Sequence, residues 1–287
     1  MTPSTPLVDE WAGADVSIAQ IERELARLRS ASEGASNLRT SVMTHLAWVP
    51  PEWVEAAEAT LAGMEERHPS RTIMLVPRPE EPDGLDAEVS VRCFPLGESH
   101  VCSEVIRLAL RGNRVGAPAS IVLPLVISDL PVFSRWRGDP PWGAPELDQL
   151  LDVADRLVVD SSEWDDLAYA DLAKTFGHAA VSDIAWARTH EWRVELAKYW
   201  PAIREQEIRV RGPRAEATLL RAWLNARLDR AIRPVEPAGE VAVRLGGEEL
   251  RPPRTPVPDP SDLLSAELDC FGRDWVYEEA VTTAASS

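Results

Sequence analysis

Four tryptophans set against charge are the residues best placed to do chemistry. Arg135-Trp136-Arg137, Glu163-Trp164-Asp165, Trp186-Ala187-Arg188 and Glu191-Trp192-Arg193 all fall within fewer than sixty residues. An indole beneath a guanidinium makes a cation–π contact. Trp and Arg are also the residues enriched where proteins bind one another. The competing expectation is that each indole packs inside its own domain. Eight residues follow as candidates for partner contact, or for support of a contact surface: Arg135, Trp136, Arg137, Trp164, Trp186, Arg188, Trp192 and Arg193.

Sequence signatures of catalysis do not accompany them. The histidines (His45, His68, His100, His178 and His190) are scattered and form neither HxH nor HExxH, and no CxxC occurs, so no metal site is expected. No GxGxxG, Walker A or GxSxG pattern follows a strand, so no cofactor and no catalytic residue is expected. Gly112 and Gly116 lie between a strand and a helix, where a phosphate could sit on the helix N-terminus, but a plain turn explains them too. The acids Asp160, Glu163, Asp165 and Asp166 could supply a general acid/base pair at a strand end. The same run also reads as a helix start, with Ser161 or Ser162 capping. Cys93 and Cys102 face each other across a hairpin if its loop is symmetric. They are expected to be reduced and half-buried, with a disulfide as the alternative.

Composition narrows the classes. The chain has 287 residues, 45% hydrophobic and 27% charged, enough for a substantial core. No apolar run approaches a membrane span, and the N-terminus lacks the features of a secretory signal. A cytoplasmic location with reduced thiols is expected. The net charge of −17 argues against nucleic acid and anionic membrane surfaces as partners. The charge is uneven. Residues 139–171 hold ten acids and one base, whereas residues 182–233 hold eleven bases and seven acids. Two surfaces of opposite sign could orient a partner.

These residues need elements to position them. Residues 1–16 read as a frayed tail, followed by an amphipathic helix carrying Ile18, Ile21, Leu25 and Leu28 on one stripe. Strands are expected at 39–49, 70–77, 87–94, 131–136 and 155–160, with helices at 51–68, 117–130, 144–154 and 162–177. The segment 101–112 is expected to pair with 87–94 as a hairpin. After residue 178 come a partly helical Trp- and Arg-rich stretch, a strand at 208–212, a strong helix from Arg214, a strand near 240–247, a Pro-rich segment and an amphipathic end. The expected fold class is α/β: an N-terminal mixed sheet with parallel strands covered by helices, plus a smaller C-terminal α+β domain. The expected divisions are a flexible segment 1–36, a domain 37–178 and a domain 179–287.

Taken in order, HPSRTIML (68–75), LPLVISDLPVFSRWRGDPP (123–141), DRLVVDSSEW (155–164), VSDIAWARTHEWRVELAKYW (181–200) and LLSAELDCFGRDWVYEEAV (263–281) resemble the glucose-6-phosphate dehydrogenase assembly protein (OpcA) family. The resemblance implies an N-terminal α/β domain, a C-terminal domain and no catalysis by the chain itself. It implies binding to glucose-6-phosphate dehydrogenase, promotion of its active oligomer, and control of the oxidative pentose phosphate pathway and its NADPH supply. The alternative is an enzyme or sensor for a sugar phosphate, with a crevice at the strand ends, Asp160 as base and Arg137 on the phosphate.

Overall fold

The computed structural model describes residues 7–31, 37–38, 41–64, 69–96, 99–250 and 258–286. The chain divides into two compact units, Met1–Leu157 and Val158–Ser287.

The first unit is built on a mixed sheet in the order β1-β5-β6-β4-β3-β7. Its strands are β1 (Leu7–Gly13), β2 (Asn37–Leu38, paired with β6), β3 (Thr44–Trp48), β4 (Arg71–Arg78), β5 (Gly84–Leu96), β6 (Ser99–Arg111) and β7 (Val132–Trp136). Neighbours β6, β4, β3 and β7 run parallel, while β1, β5 and β6 pair antiparallel. The parallel strands carry continuous apolar runs because both faces are covered. Leu46, Ile73, Leu75, Ile106 and Leu108 are all fully buried. Each such side chain contributes about 1.5–3 kcal/mol by leaving water.

Helices α1 (Ile18–Ala31), α2 (Val54–Ala62), α3 (Pro118–Val122) and α4 (Pro145–Val153) complete this unit. Ser17 caps α1, accepting from the Gln20 amide at 3.3 Å, and Ile21, Leu25 and Leu28 are buried. The helix is also held by charge. Arg29 and the buried Arg71 both donate to Glu104 on β6, Arg71 at 2.7 Å. Burial alone would raise the Glu104 pKa. The two guanidiniums outweigh it and hold the carboxyl below its usual range.

Several expectations need correction here. Residues 7–13 are not frayed: they form the edge strand β1, paired with β5 from Leu7↔Cys93 to Gly13↔Ala87. The helix expected over 117–130 ends at Val122, because Pro124 has no amide hydrogen to continue the helical ladder. The 87–94 hairpin forms and sets Cys93 directly opposite Cys102. The two sulfurs are joined in a disulfide rather than reduced. The last four residues of the helix expected over 51–68, namely 65–68, and the Pro-rich stretch 251–257 lie outside the described residues.

Strand β8 (Arg156–Val159) carries the chain into the second unit, which holds β9 (Ala180–Asp183) and helices α5 (Tyr169–Thr175), α6 (Ile184–Arg188), α7 (His190–Ala197), α8 (Arg214–Leu228), α9 (Pro260–Leu268) and α10 (Trp275–Ala285). A small sheet joins β10 (Ile208–Gly212), β11 (Glu236–Pro237), β12 (Ala242–Leu245) and β13 (Glu248–Glu249) in the order β11-β10-β12-β13. Its buried face, with Ile208, Val210 and Val243, shares a core with Leu220, Leu224 and Leu228 of α8. This is the smaller α+β domain expected. Within this unit α5 packs on α10 and the Ser161–Glu163 turn packs on α8.

Candidate functional site

In the first unit, β7 delivers Arg135, Trp136 and Arg137 to one strand end. Register places Trp48 of β3 opposite Trp136, and their indoles stack 4.8 Å apart. Arg135 is 3% exposed and donates to the Trp136 carbonyl. Arg137 is half-buried, with its guanidinium 4.7 Å over the Trp53 ring. Gly138 follows at φ +71°, and a Cβ there would come within 3.2 Å of Trp53 Nε1. A side chain would therefore be both strained and crowded at this position. Of the three predicted residues, only Arg137 reaches the surface.

The other five predicted residues belong to the second unit, in or beside a buried polar network. Asp160 caps the short helical turn Ser161–Glu163, accepting from the Ser162 amide at 3.2 Å and its hydroxyl at 2.6 Å. Arg188, at the end of α6, clamps both Asp160 oxygens at 2.7 and 3.0 Å and reaches Glu216 of α8 at 3.2 Å. Burial alone would lower the Arg188 pKa, but Asp160 and Glu216 outweigh it and raise it. Asp183 sits beneath, fully enclosed. It caps α6 through the Ala185 amide at 2.9 Å and accepts from the Ser161 amide at 3.0 Å and hydroxyl at 2.6 Å. Tyr277 donates to it at 3.4 Å, and the Tyr169 hydroxyl lies 3.1 Å from Ser161 Oγ. Burial first, then the Asp160 charge, pushes the Asp183 pKa up to about 7. Burial and the Asp183 charge likewise raise Tyr169 and Tyr277 well above the usual phenol range.

This arrangement corrects the reading of Asp160 as a general base. Its carboxylate is 3% exposed and occupied on both oxygens by Arg188. Ser161 and Asp183 form a hydroxyl–carboxylate pair, but both are 0% exposed, so no substrate reaches them. The network joins segments that are distant in sequence. It does not present a reactive group.

The predicted tryptophans of this unit, Trp164, Trp186 and Trp192, are also interior. Trp186 donates to Asp274 at 2.9 Å, and Arg193 lies 3.5 Å over its ring. Burial brings the Arg193 pKa down to about 10, against the opposing charges of Asp274 and Glu267. Trp192 belongs to the core under the small sheet, and Trp164 tilts against Tyr169 at 6.0 Å. All three indoles are buried.

The exposed aromatics are ones the sequence reading passed over. Trp200 is 47% exposed under Arg204 at 4.8 Å, and Trp275 is 67% exposed under Arg273 at 4.3 Å. Phe271 is as exposed as Trp275. A signal existed for Trp275. Asp274 caps α10, so Trp275 falls in the first turn, off the buried stripe of Tyr277, Ala280 and Val281. Among the described residues, no group of three or more His, Cys, Asp or Glu is placed to hold a metal ion, and no helix is long and apolar enough to cross a membrane.

Comparison with known proteins adds the relationship. Residues 62–174 match the family described as glucose-6-phosphate dehydrogenase subunit N-terminal domain. A Synechocystis protein named putative OxPP cycle protein OpcA is 27% identical over 180 residues, covering 56% of this chain and 37% of that protein. A Nostoc punctiforme protein of the same name is 26% identical over 182 residues, covering 57% and 38%. The matched region thus spans little more than a third of these relatives' own length. Over residues 62–174 the chain is similar to the N-terminal domain of that glucose-6-phosphate dehydrogenase subunit family, and over 180 and 182 residues it is similar to the two OpcA proteins.

Proposed function

We propose that this protein is a non-catalytic factor that binds glucose-6-phosphate dehydrogenase in the cytoplasm and promotes its active oligomer. In doing so it controls the oxidative pentose phosphate pathway and its NADPH supply. The observation that carries this reading is the match of residues 62–174 to a domain described by that dehydrogenase. The geometry is compatible with a role by contact. Asp160, Ser161 and Asp183 are enclosed and spent on structure, while Trp200 with Arg204 and Trp275 with Arg273 stand at the surface of the second unit. Exposed indole–guanidinium pairs are the residue types that dominate binding energy in interfaces. The mechanism is a population shift, in which the factor binds the active arrangement of the dehydrogenase more tightly than the inactive one.

Arg135, Trp136, Trp164, Trp186, Arg188 and Trp192 take the supporting role in this proposal. Arg137, Arg193 and the exposed pairs take the contact role. The test is binding of the purified chain to purified glucose-6-phosphate dehydrogenase by calorimetry. Saturable binding, weakened at least tenfold in a Trp200→Ala/Trp275→Ala double variant that stays folded, is the expected result. An absence of binding overturns the proposal. Unchanged affinity in the double variant overturns the placement of the surface.

A further inference from the structure

The second unit also carries a cavity of about 70 Å³ on the open face of its small sheet, lined by Arg209, Arg211, Glu236, Arg244 and Glu249. Strand geometry explains the lining. Ile208 and Val210 of β10 face the core, so the alternating Arg209 and Arg211 face out. Antiparallel register then places Arg244 of β12 directly opposite Arg209. Like charges set opposite each other on one sheet face destabilise it. Among the described residues, shared carboxylates answer them. Glu249 pairs with Arg211 at 2.6 Å and reaches Arg244 only at 4.0 Å. Glu207 divides itself between Arg209 at 3.0 Å and Arg233 at 3.2 Å. These hydrogen bonds and charges hold Glu207 below its usual range, so it is already fully spent as an anion. Among the described residues that line the cavity, three guanidiniums face two carboxylates. This local excess of positive charge sits in a chain whose net charge is −17.

We propose that this cavity binds the phosphate group of a small phosphorylated metabolite. An oxyanion between Arg209 and Arg244 would relieve their repulsion. Guanidiniums suit it because each offers paired N–H donors to tetrahedral oxygens. The cavity takes the phosphate head, and the remainder of the metabolite lies over the rim, where Arg211 and Glu249 can accept or donate to hydroxyls. The site is within the second unit, so it stands whether or not the dehydrogenase is the partner.

The experiment is calorimetric titration of the full chain with inorganic phosphate, a sugar phosphate and a nucleoside monophosphate, repeated on Arg244→Gln. Thermal unfolding is followed in parallel. Saturable binding of a phosphate ester is expected, weakened at least tenfold in Arg244→Gln. The tighter of the two esters identifies the ligand class. Because the substitution removes the facing like charge, Arg244→Gln is expected to melt no lower than the natural protein in phosphate-free buffer. It is also expected to lose the phosphate-dependent rise in melting temperature. Binding that is absent, that survives Arg244→Gln unchanged, or that is no tighter for either ester than for inorganic phosphate overturns the proposal.

Discussion

Glu104 in the first unit and Asp183 in the second are both buried carboxyls, but they keep different company. Glu104 is gripped by Arg29 and Arg71, and its pKa falls. Asp183 is met by amides and hydroxyls, while the Arg188 guanidinium is spent on Asp160 and Glu216. Its pKa therefore rises to about 7. Burial penalises both ionised forms, and the facing cation decides the sign. The two units should consequently respond to pH in opposite directions, the first losing stability in acid and the second losing it toward neutrality.

The largest expected effect comes from Arg188→Glu. It leaves Asp160 and Glu216 buried beside a third carboxylate, and breaking such a pair costs about 3–5 kcal/mol. Loss of cooperative unfolding of the second unit by calorimetry is the expected outcome. A full-length melt with both transitions intact would refute the role given to Arg188. Charge reversal there is thus a test of folding rather than of partner contact.

Glu104→Gln is next, at about 2–3 kcal/mol, because Arg71 is left buried without its counter-charge. The sign of its pH dependence is fixed. The Glu104 contribution is fully present above the unfolded carboxyl pKa and is lost as pH falls through the lower folded value. Denaturant unfolding should show the gap between natural protein and variant closing below about pH 4. A gap independent of pH would mean that Glu104 acts by packing alone.

Asp183→Asn should run the other way. Its folded pKa is raised, so its contribution is present below the unfolded value and lost as pH rises toward 7. The amide mimics the protonated acid. Between pH 5 and 8 the variant should gain about 2 kcal/mol relative to the natural protein. Parallel stability curves would show that Asp183 stays ionised throughout. The smallest effect on stability belongs to Trp200→Ala and Trp275→Ala, each expected within about 0.5 kcal/mol because both indoles are exposed. A larger loss in either melt would place that indole in the fold.

Legibility in the sequence followed range. Local signals held: the apolar run at β4, the α8 stripe and the hairpin that sets Cys93 opposite Cys102 all emerged from periodicity and turn placement. β1 did not emerge, because LVDEWAG is a strand only by virtue of β5, more than seventy residues away. The Trp–Arg clusters did not pair within themselves: Arg193 lies over Trp186 rather than Trp192, and Arg137 over Trp53 rather than Trp136. Charged neighbours suggested a surface. On a helix or strand, however, adjacent side chains point apart, so Trp192 turns inward while Glu191 turns out. Asp183 carried no signal, since a lone acid before a helix is an ordinary cap until Ser161 and Tyr277 are folded against it.

The most direct test of the central claim is the mass distribution and specific activity of glucose-6-phosphate dehydrogenase, measured by analytical ultracentrifugation and NADP reduction as this chain is titrated in. The account predicts that higher oligomer and activity rise together and saturate at a fixed ratio of the two proteins. A dehydrogenase whose mass and rate stay flat across the titration would contradict it.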